Sequence, residues 1–277
     1  MIFTYKLWEK FCKTLNERGL NSVTAKYVLD NNLNEKYVVL KHDVETKVKN
    51  ALKLAQIEAN YGHYGSYYVQ AYLLENKENL DMLNKIKELG HEVSYHYDVM
   101  DFAKGDLDLA IKEFERNKTV FEENNFYLST LCQHGNPVME RVGYTSNRDF
   151  FRSQRVKSLY PNMCDIMVNF KEKADTEYTY FSDAGHRFNL IFDPINNDVI
   201  KSDDKNLPID DMDEIIGYIE KENCIVSMHP HRWEKNAISY RFKGWIFKII
   251  KAVAKLLMKV PFIKRIMSRK YYLAKKF

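Results

Sequence analysis

Seven short runs of apolar and β-branched residues recur along the chain: KYVVLKHDV, GSYYVQAY, HEVSYH, YLSTLCQHG, CDIMVNF, YTYFSDAG and CIVSMHP. Between several of them lie longer stretches in which apolar residues return every three or four positions: VKNALKLAQIEANYG, NKENLDMLNKIKELG, DLDLAIKEFERNKTVFEENN and PIDDMDEIIGYIEKEN. The first pattern predicts strands and the second amphipathic helices. Two helical stretches close on Gly, a common stop, and DLDL and PIDDMDE set acids in a first turn, where the helix dipole favours them. Strand and helix in alternation, with crossovers of this length, predict parallel pairing and an α/β architecture. No fixed-period repeat or low-complexity linker interrupts the pattern, and the least regular section, 136–164, reads as a loop with short helices.

Strand alternation within GHEVSYHYD, Gly90 to Asp98, sets Glu92, Ser94 and His96 on one side and Val93 and Tyr95 on the other. A strand that buries Val93 and carries His96 to its C-terminal end resembles a site more than a surface. His42, His134 and His229 fall at equivalent ends, in VVLKHD, TLCQH and VSMH, with Asp43, Glu45 and Asp183 nearby. In parallel α/β folds that edge gathers ligands and catalytic side chains. A single histidine at a strand end is commonly structural, and His91 at the start of its strand is expected to be. Four of the eight histidines at matching positions, with acids interleaved, read as a site.

Imidazoles and carboxylates on one rim suit a divalent metal of the zinc type. Such a metal polarises a carbonyl and makes water more acidic. A carboxylate can then take the water's proton while a histidine across the site protonates the leaving group. This set of parts fits hydrolysis of an amide or ester. His229 and His231 in HPH also invite a rival reading, the HxH metal pair of an amidohydrolase barrel, although that pair normally sits on an early strand.

At 277 residues, 45% hydrophobic and 14% aromatic, the chain can fill the core of one α/β barrel, which excludes a disordered chain. MIFTYKLWEKFCKTLNERG puts acids and lysines where a secretory signal has an apolar core. No apolar run of membrane-spanning length is free of charge, so a cytoplasmic location is expected. Cys12, Cys132, Cys164 and Cys224 lie far apart and read as reduced thiols. Charge is segregated: after Glu234 there is no acid and thirteen Lys or Arg, so the net +4 of the chain leaves −9 on residues 1–234.

VVLKHDVE, GHEVSYHYD, YFSDAGHRF and IVSMHPHRW, in this order, resemble the motifs of the polysaccharide deacetylases (carbohydrate esterase family 4), over roughly residues 36–234, in the branch with HDVD. The resemblance implies an irregular barrel of about seven β/α units, occupying 1–236. It implies Asp43 as catalytic base, with Glu45 as the metal-binding acid, though which acid takes which role stays open. It also implies His96 as a metal ligand and His229 as the catalytic acid. Glu45 stands where this branch more often has Asp, and the usual second metal histidine falls at Met100. Asp98, Asp101 or His134 could complete the set, and His134, at the end of a different strand, is the expected third ligand. Asp183 and Trp233 are expected to orient a site group or face substrate, and His186 and Arg187 to border it. The implied activity is removal of an N-acyl group from a sugar, with zinc. The departures at Met100 and Glu45 favour an alternative, a non-catalytic carbohydrate-binding or assembly protein on a degenerate deacetylase fold.

The remaining 237–277 form a basic amphipathic tail. On a helical wheel from Trp245, Lys248, Lys251, Lys255 and Lys259 fall within about 240° to 320°, and the rest of the arc is apolar until Pro261. Such a helix suits the interface of an anionic membrane, lysines reaching to the headgroups. Peripheral attachment to the inner membrane surface through 244–277 is therefore expected, with a lipid-linked glycan as substrate. Nucleic acid is not expected, because it would leave the apolar face unexplained.

Overall fold

The computed structural model describes residues 1–245 apart from 32, 34, 137, 138, 186 and 200–205. The tail from 246 and the expectation for His186 lie outside the described residues.

The strand runs become β2 (Tyr37–Val44), β3 (Gly65–Val69), β4 (Glu92–Tyr97), β5 (Thr130–Gln133), β6 (Cys164–Asp165), β7 (Thr179–Ser182) and β10 (Cys224–Met228). A short β1 (Asn21–Ser22) precedes them, and β8 (Asn189–Ile191) and β9 (Asn206–Pro208) lie between β7 and β10. The helical stretches become α3 (Val48–Asn60), α4 (Lys77–Glu88), α6 (Leu107–Glu123) and α10 (Met212–Ile219). They are joined by α1 (Tyr5–Glu17), α2 (Ala25–Asp30) and the short α5 (Val99–Phe102), α7 (Asp149–Arg152), α8 (Gln154–Leu159) and α9 (Phe170–Lys173). β6 stops after two residues because the Asp165 carboxylate accepts from Met167 N at 2.6 Å while Asn169 Oδ1 accepts from Asp165 N at 2.9 Å. These local bonds turn the chain where the apolar run alone suggests a longer strand.

The sheet order is β6-β5-β4-β3-β2-β10-β7-β8-β9, with β1 beside β2. Pairing is parallel from β6 to β7 and antiparallel for β8 and β9. Among the described residues no pairing joins β6 to β9, and this parallel-dominated sheet with helices around it is consistent with the irregular barrel expected from the sequence. The sheet curls. Val39, Tyr68, Cys132, Cys164, Tyr180, Ile191 and Ile225, from strands near both ends of the order, share one buried cluster. A flat sheet could not bring Cys164 of β6 and Ile191 of β8 to one core. The outer face packs on the helices in two larger clusters, α1 and α10 over β2 and β10, and α4 and α6 over β3 and β4.

β2 is buried along its whole length, so its period-two alternation assigns side chains to two interiors rather than to core and solvent. Val39, Lys41 and Asp43 face the curled inside; Val38, Leu40, His42 and Val44 face the helices.

Candidate active site

The C-terminal ends of β2, β4, β5 and β10 open into a cavity of about 770 Å³, lined among others by Lys41, Asp43, Glu45, His96, Cys132, His134 and His229. Lys41 and Asp43 point into it from β2, and Glu45 follows at the strand's end. His96 lies opposite Cys132 in the β4–β5 register, and His134 continues β5, its N–H bonded to Tyr97 O at 2.7 Å.

Glu45, His96 and His134 each offer a ligand atom, all within 4.8 Å of one another; Asp43, His96 and Cys132 do the same. His134 Nε2 is 3.3 Å from Glu45 Oε1, and the His96 and His134 rings meet edge to face with centroids 5.1 Å apart. His96 Nδ1 lies 3.1 Å from Cys132 O, while its Nε2, buried, has no hydrogen-bond partner. Burial pushes His96 down to about 4, so above that pH the ring is neutral. With Nδ1–H donated to the carbonyl, the Nε2 lone pair is left available, the arrangement a metal-binding imidazole needs. This donor set of imidazoles, carboxylates and a buried thiol fits a divalent transition metal. Burial would raise the Glu45 carboxyl, but His134, then His229 and His231, hold it well below its ordinary range.

Across the cavity, His229 Nδ1 donates to Asp183 Oδ1 at 2.6 Å, and its Nε2 is 3.8 Å from Asp43 Oδ2 and 3.9 Å from Glu45 Oε1. Asp183 is fully buried and accepts also from His229 N, Arg232 Nη1 and Trp233 Nε1; burial would raise it, but His229 and Arg232 together hold it below the ordinary carboxylate range. It orients His229, and the expectation that it contacts substrate is corrected: every oxygen it has is spent inside the protein. Trp233 is corrected likewise. It is 0% exposed, stacked on Phe3 at 5.1 Å and edge-on to Trp8 at 5.4 Å, and so has no face left for a sugar.

His42 is the third correction. Its position one residue before Asp43 turns it to the outer face, where it stacks on Tyr67 at 4.0 Å and its Nε2 sits 2.8 Å from Glu58 Oε1. His91 has the structural role expected: Nδ1 accepts from Gly65 N at 3.0 Å and Nε2 meets Ala55 O at 2.9 Å. Met100 is buried in the core, and Asp101 is taken up by Arg141, Tyr144 and Asn147, which ties residues 141–147 to α5.

Lys41 and Cys132 of the cavity escape the sequence reading. Lys41, 1% exposed, places Nζ 2.6 Å from both Asp43 oxygens and 3.1 Å from Ser227 Oγ. Burial would raise the Asp43 carboxyl, but Lys41, then His96 and His229, hold it at about 2. Strand parity carries the signal for Lys41, two residues before Asp43 on the same face. Cys132 joins the Asp43–His96 group only through the β4–β5 pairing, which no spacing of cysteines reveals; burial keeps its thiol well above the ordinary range.

No protein-family model matches the chain, and no curated protein does. Among solved structures, the catalytic domain of peptidoglycan N-acetylglucosamine deacetylase from Eubacterium rectale ATCC 33656 is similar, with a TM-score of 0.44 and 13% sequence identity over 78% of this chain and 86% of that chain.

Proposed function

We propose that the protein is a metal-dependent hydrolase that removes an N-acyl group, in the first instance acetyl, from a sugar. The observation that carries this reading is the convergence of Asp43, Glu45, His96, His134 and His229 on one cavity, with His229 held from behind by Asp183. Glu45, His96 and His134 would hold the metal, with zinc the first choice for such ligands. When bound, it supplies Lewis-acid polarisation of the acyl carbonyl and acidifies water. Asp43, the base, takes a proton from the attacking water. His229, its Nδ1 fixed by Asp183, presents Nε2 to protonate the departing amine. The motif resemblance supports the same roles.

The setting we propose is surface-polysaccharide assembly on a lipid-linked glycan, with 1–236 as catalytic domain and 237–277 as the attachment to the cytoplasmic face of an anionic membrane. A helix begins at 237 and continues to 245, the last described residue. On it Ile238, Phe242 and Trp245 are 81%, 60% and 60% exposed, at the i, i+4, i+7 spacing of one face. No helix among the described residues is long and apolar enough to cross a membrane.

A second reading, a non-catalytic glycan-binding protein, is favoured by one observation: Lys41 occupies both oxygens of the intended base. Elemental analysis and acetate release from N-acetylated sugars separate the two. The hydrolase reading expects one equivalent of transition metal, lost in His96→Ala, and turnover lost in Asp43→Asn and His229→Ala. A metal-free protein that fails to take up zinc or cobalt, or normal turnover in either catalytic variant, defeats it.

A further inference from the structure

We infer that Asn136 reads the sugar, its carboxamide gripping a vicinal diol of the pyranose whose acyl group lies at the Glu45–His96–His134 group. The inference rests on the reading of this cavity as a sugar site and adds the residue that recognises the ring.

Asn136 lies two residues after His134, and both are held through their backbone carbonyls. His134 O accepts from Asn147 Nδ2 at 2.8 Å, and Asn136 O accepts from Arg141 Nη2 at 3.1 Å. The side chain is 2% exposed and lines the cavity, yet neither Oδ1 nor Nδ2 has a hydrogen-bond partner. Buried amides are nearly always paired, so a buried carboxamide with both ends unspent beside a candidate catalytic group calls for a ligand. Gln133 Oε1 and Arg148 Nε, on the same wall, are also buried without partners.

The geometry of the ligand follows from the amide. A carboxamide offers one acceptor and one donor side by side in a plane. Two hydroxyls on adjacent ring carbons offer a donor and an acceptor side by side and can meet both. A trans secondary amide cannot, because its N–H and C=O point in opposite directions. Asn136 therefore matches the ring hydroxyls rather than the acyl group, and an acylated substrate without hydroxyls would leave both ends of its buried carboxamide unpaired.

The test is a ligand-observed NMR titration of the zinc-loaded full chain with the methyl glycosides of N-acetylglucosamine and N-acetylgalactosamine and their 3-deoxy and 4-deoxy analogues. The acetate signal is followed in the same samples. Binding of at least one parent glycoside is expected, weakened about ten- to a hundredfold by loss of either hydroxyl. Asn136→Ala should weaken the parent by a similar factor, become insensitive to the deoxy changes and keep the metal content of the wild type. The inference is overturned if neither glycoside binds, if deoxygenation costs nothing, or if Asn136→Ala binds as the wild type does or keeps its full sensitivity to deoxygenation. Should Asn136→Ala not fold, Asn136→Asp, which keeps the size but loses the amide donor, replaces it in the same titration, with the same outcomes. Sugar binding with the expected deoxy pattern but no acetate release sinks the hydrolase reading and leaves Asn136 as the ring-binding residue.

Discussion

Two buried carboxylates, Asp43 and Asp183, are treated differently by their neighbours. Asp183 spends its oxygens on His229, Arg232 and Trp233, so it sets the tautomer and direction of the His229 ring without meeting a ligand. Asp183→Asn should lower kcat about 100-fold by presenting an amide where the imidazole needs an acceptor, while metal content stays at the wild-type level. Loss of the metal in that variant would show that Asp183 supports the whole site instead. Asp43 is clamped by Lys41, and a carboxylate held at about 2 contributes stability above its ordinary range and loses it as pH falls toward 2. In Lys41→Met the clamp is gone and burial raises the Asp43 carboxyl, leaving an unpaired charge at neutral pH. Urea denaturation should show a loss of about 3 kcal/mol at pH 7. The deficit should narrow as pH drops through the carboxylate range and the variant's Asp43 becomes neutral; a deficit constant with pH would exclude the ion pair as its source.

The elements are placed by alternation in strands buried on both faces. In β2, one parity delivers Lys41 and Asp43 to the cavity and the other delivers His42 to the helices. There His42 meets a second polar centre: Glu58 of α3, fully buried, accepts from Trp8 Nε1 of α1 and Tyr67 OH of β3, each at 2.9 Å. This carboxylate joins α1 and α3 to β2 and β3 behind the site. Burial would raise Glu58, but His42, His91 and the Tyr67 hydrogen bond together lower the carboxyl, so its contribution is present above the ordinary range and lost on acidification. Glu58→Gln should cost about 1–3 kcal/mol at pH 7 and less at pH 4, with metal content unchanged. Calorimetric melts at the two pH values, with elemental analysis, check this; a variant that loses metal would join the two polar centres into one.

At the scale of the whole molecule, an acidic body and a cationic tail are expected to act in different places. The exposed Ile238, Phe242 and Trp245 begin an apolar stripe that the sequence continues past 245, with lysines along one edge. The full chain should sediment with vesicles containing phosphatidylserine and stay in solution with neutral ones, and high salt should weaken the binding. A chain ending at 236 should lose vesicle binding and retain acetate release from a water-soluble sugar. Equal sedimentation of both chains would remove the tail from membrane attachment.

The sequence by itself determined the order of seven strands and the four helices between them, though not β1, β8, β9, α1 or α2, because apolar period and turn residues act over a few neighbouring positions. It also carried the rim on which Asp43, Glu45, His96, His134 and His229 gather, since parallel strands joined by helical crossovers bring their C-terminal ends to one edge. Its errors lie where a face, a pairing or a local bond decides. His42 and Asp43 are adjacent in the chain and on opposite sides of the sheet. Cys132 reaches His96 only through the β4–β5 register, and β6 ends early because Asp165 and Asn169 bond their own backbone. Trp233 resembles an exposed platform until Phe3 and Trp8, more than 220 residues earlier, pack on it. Tertiary structure alone decided these, because burial and hydrogen bonding depend on which distant segments arrive.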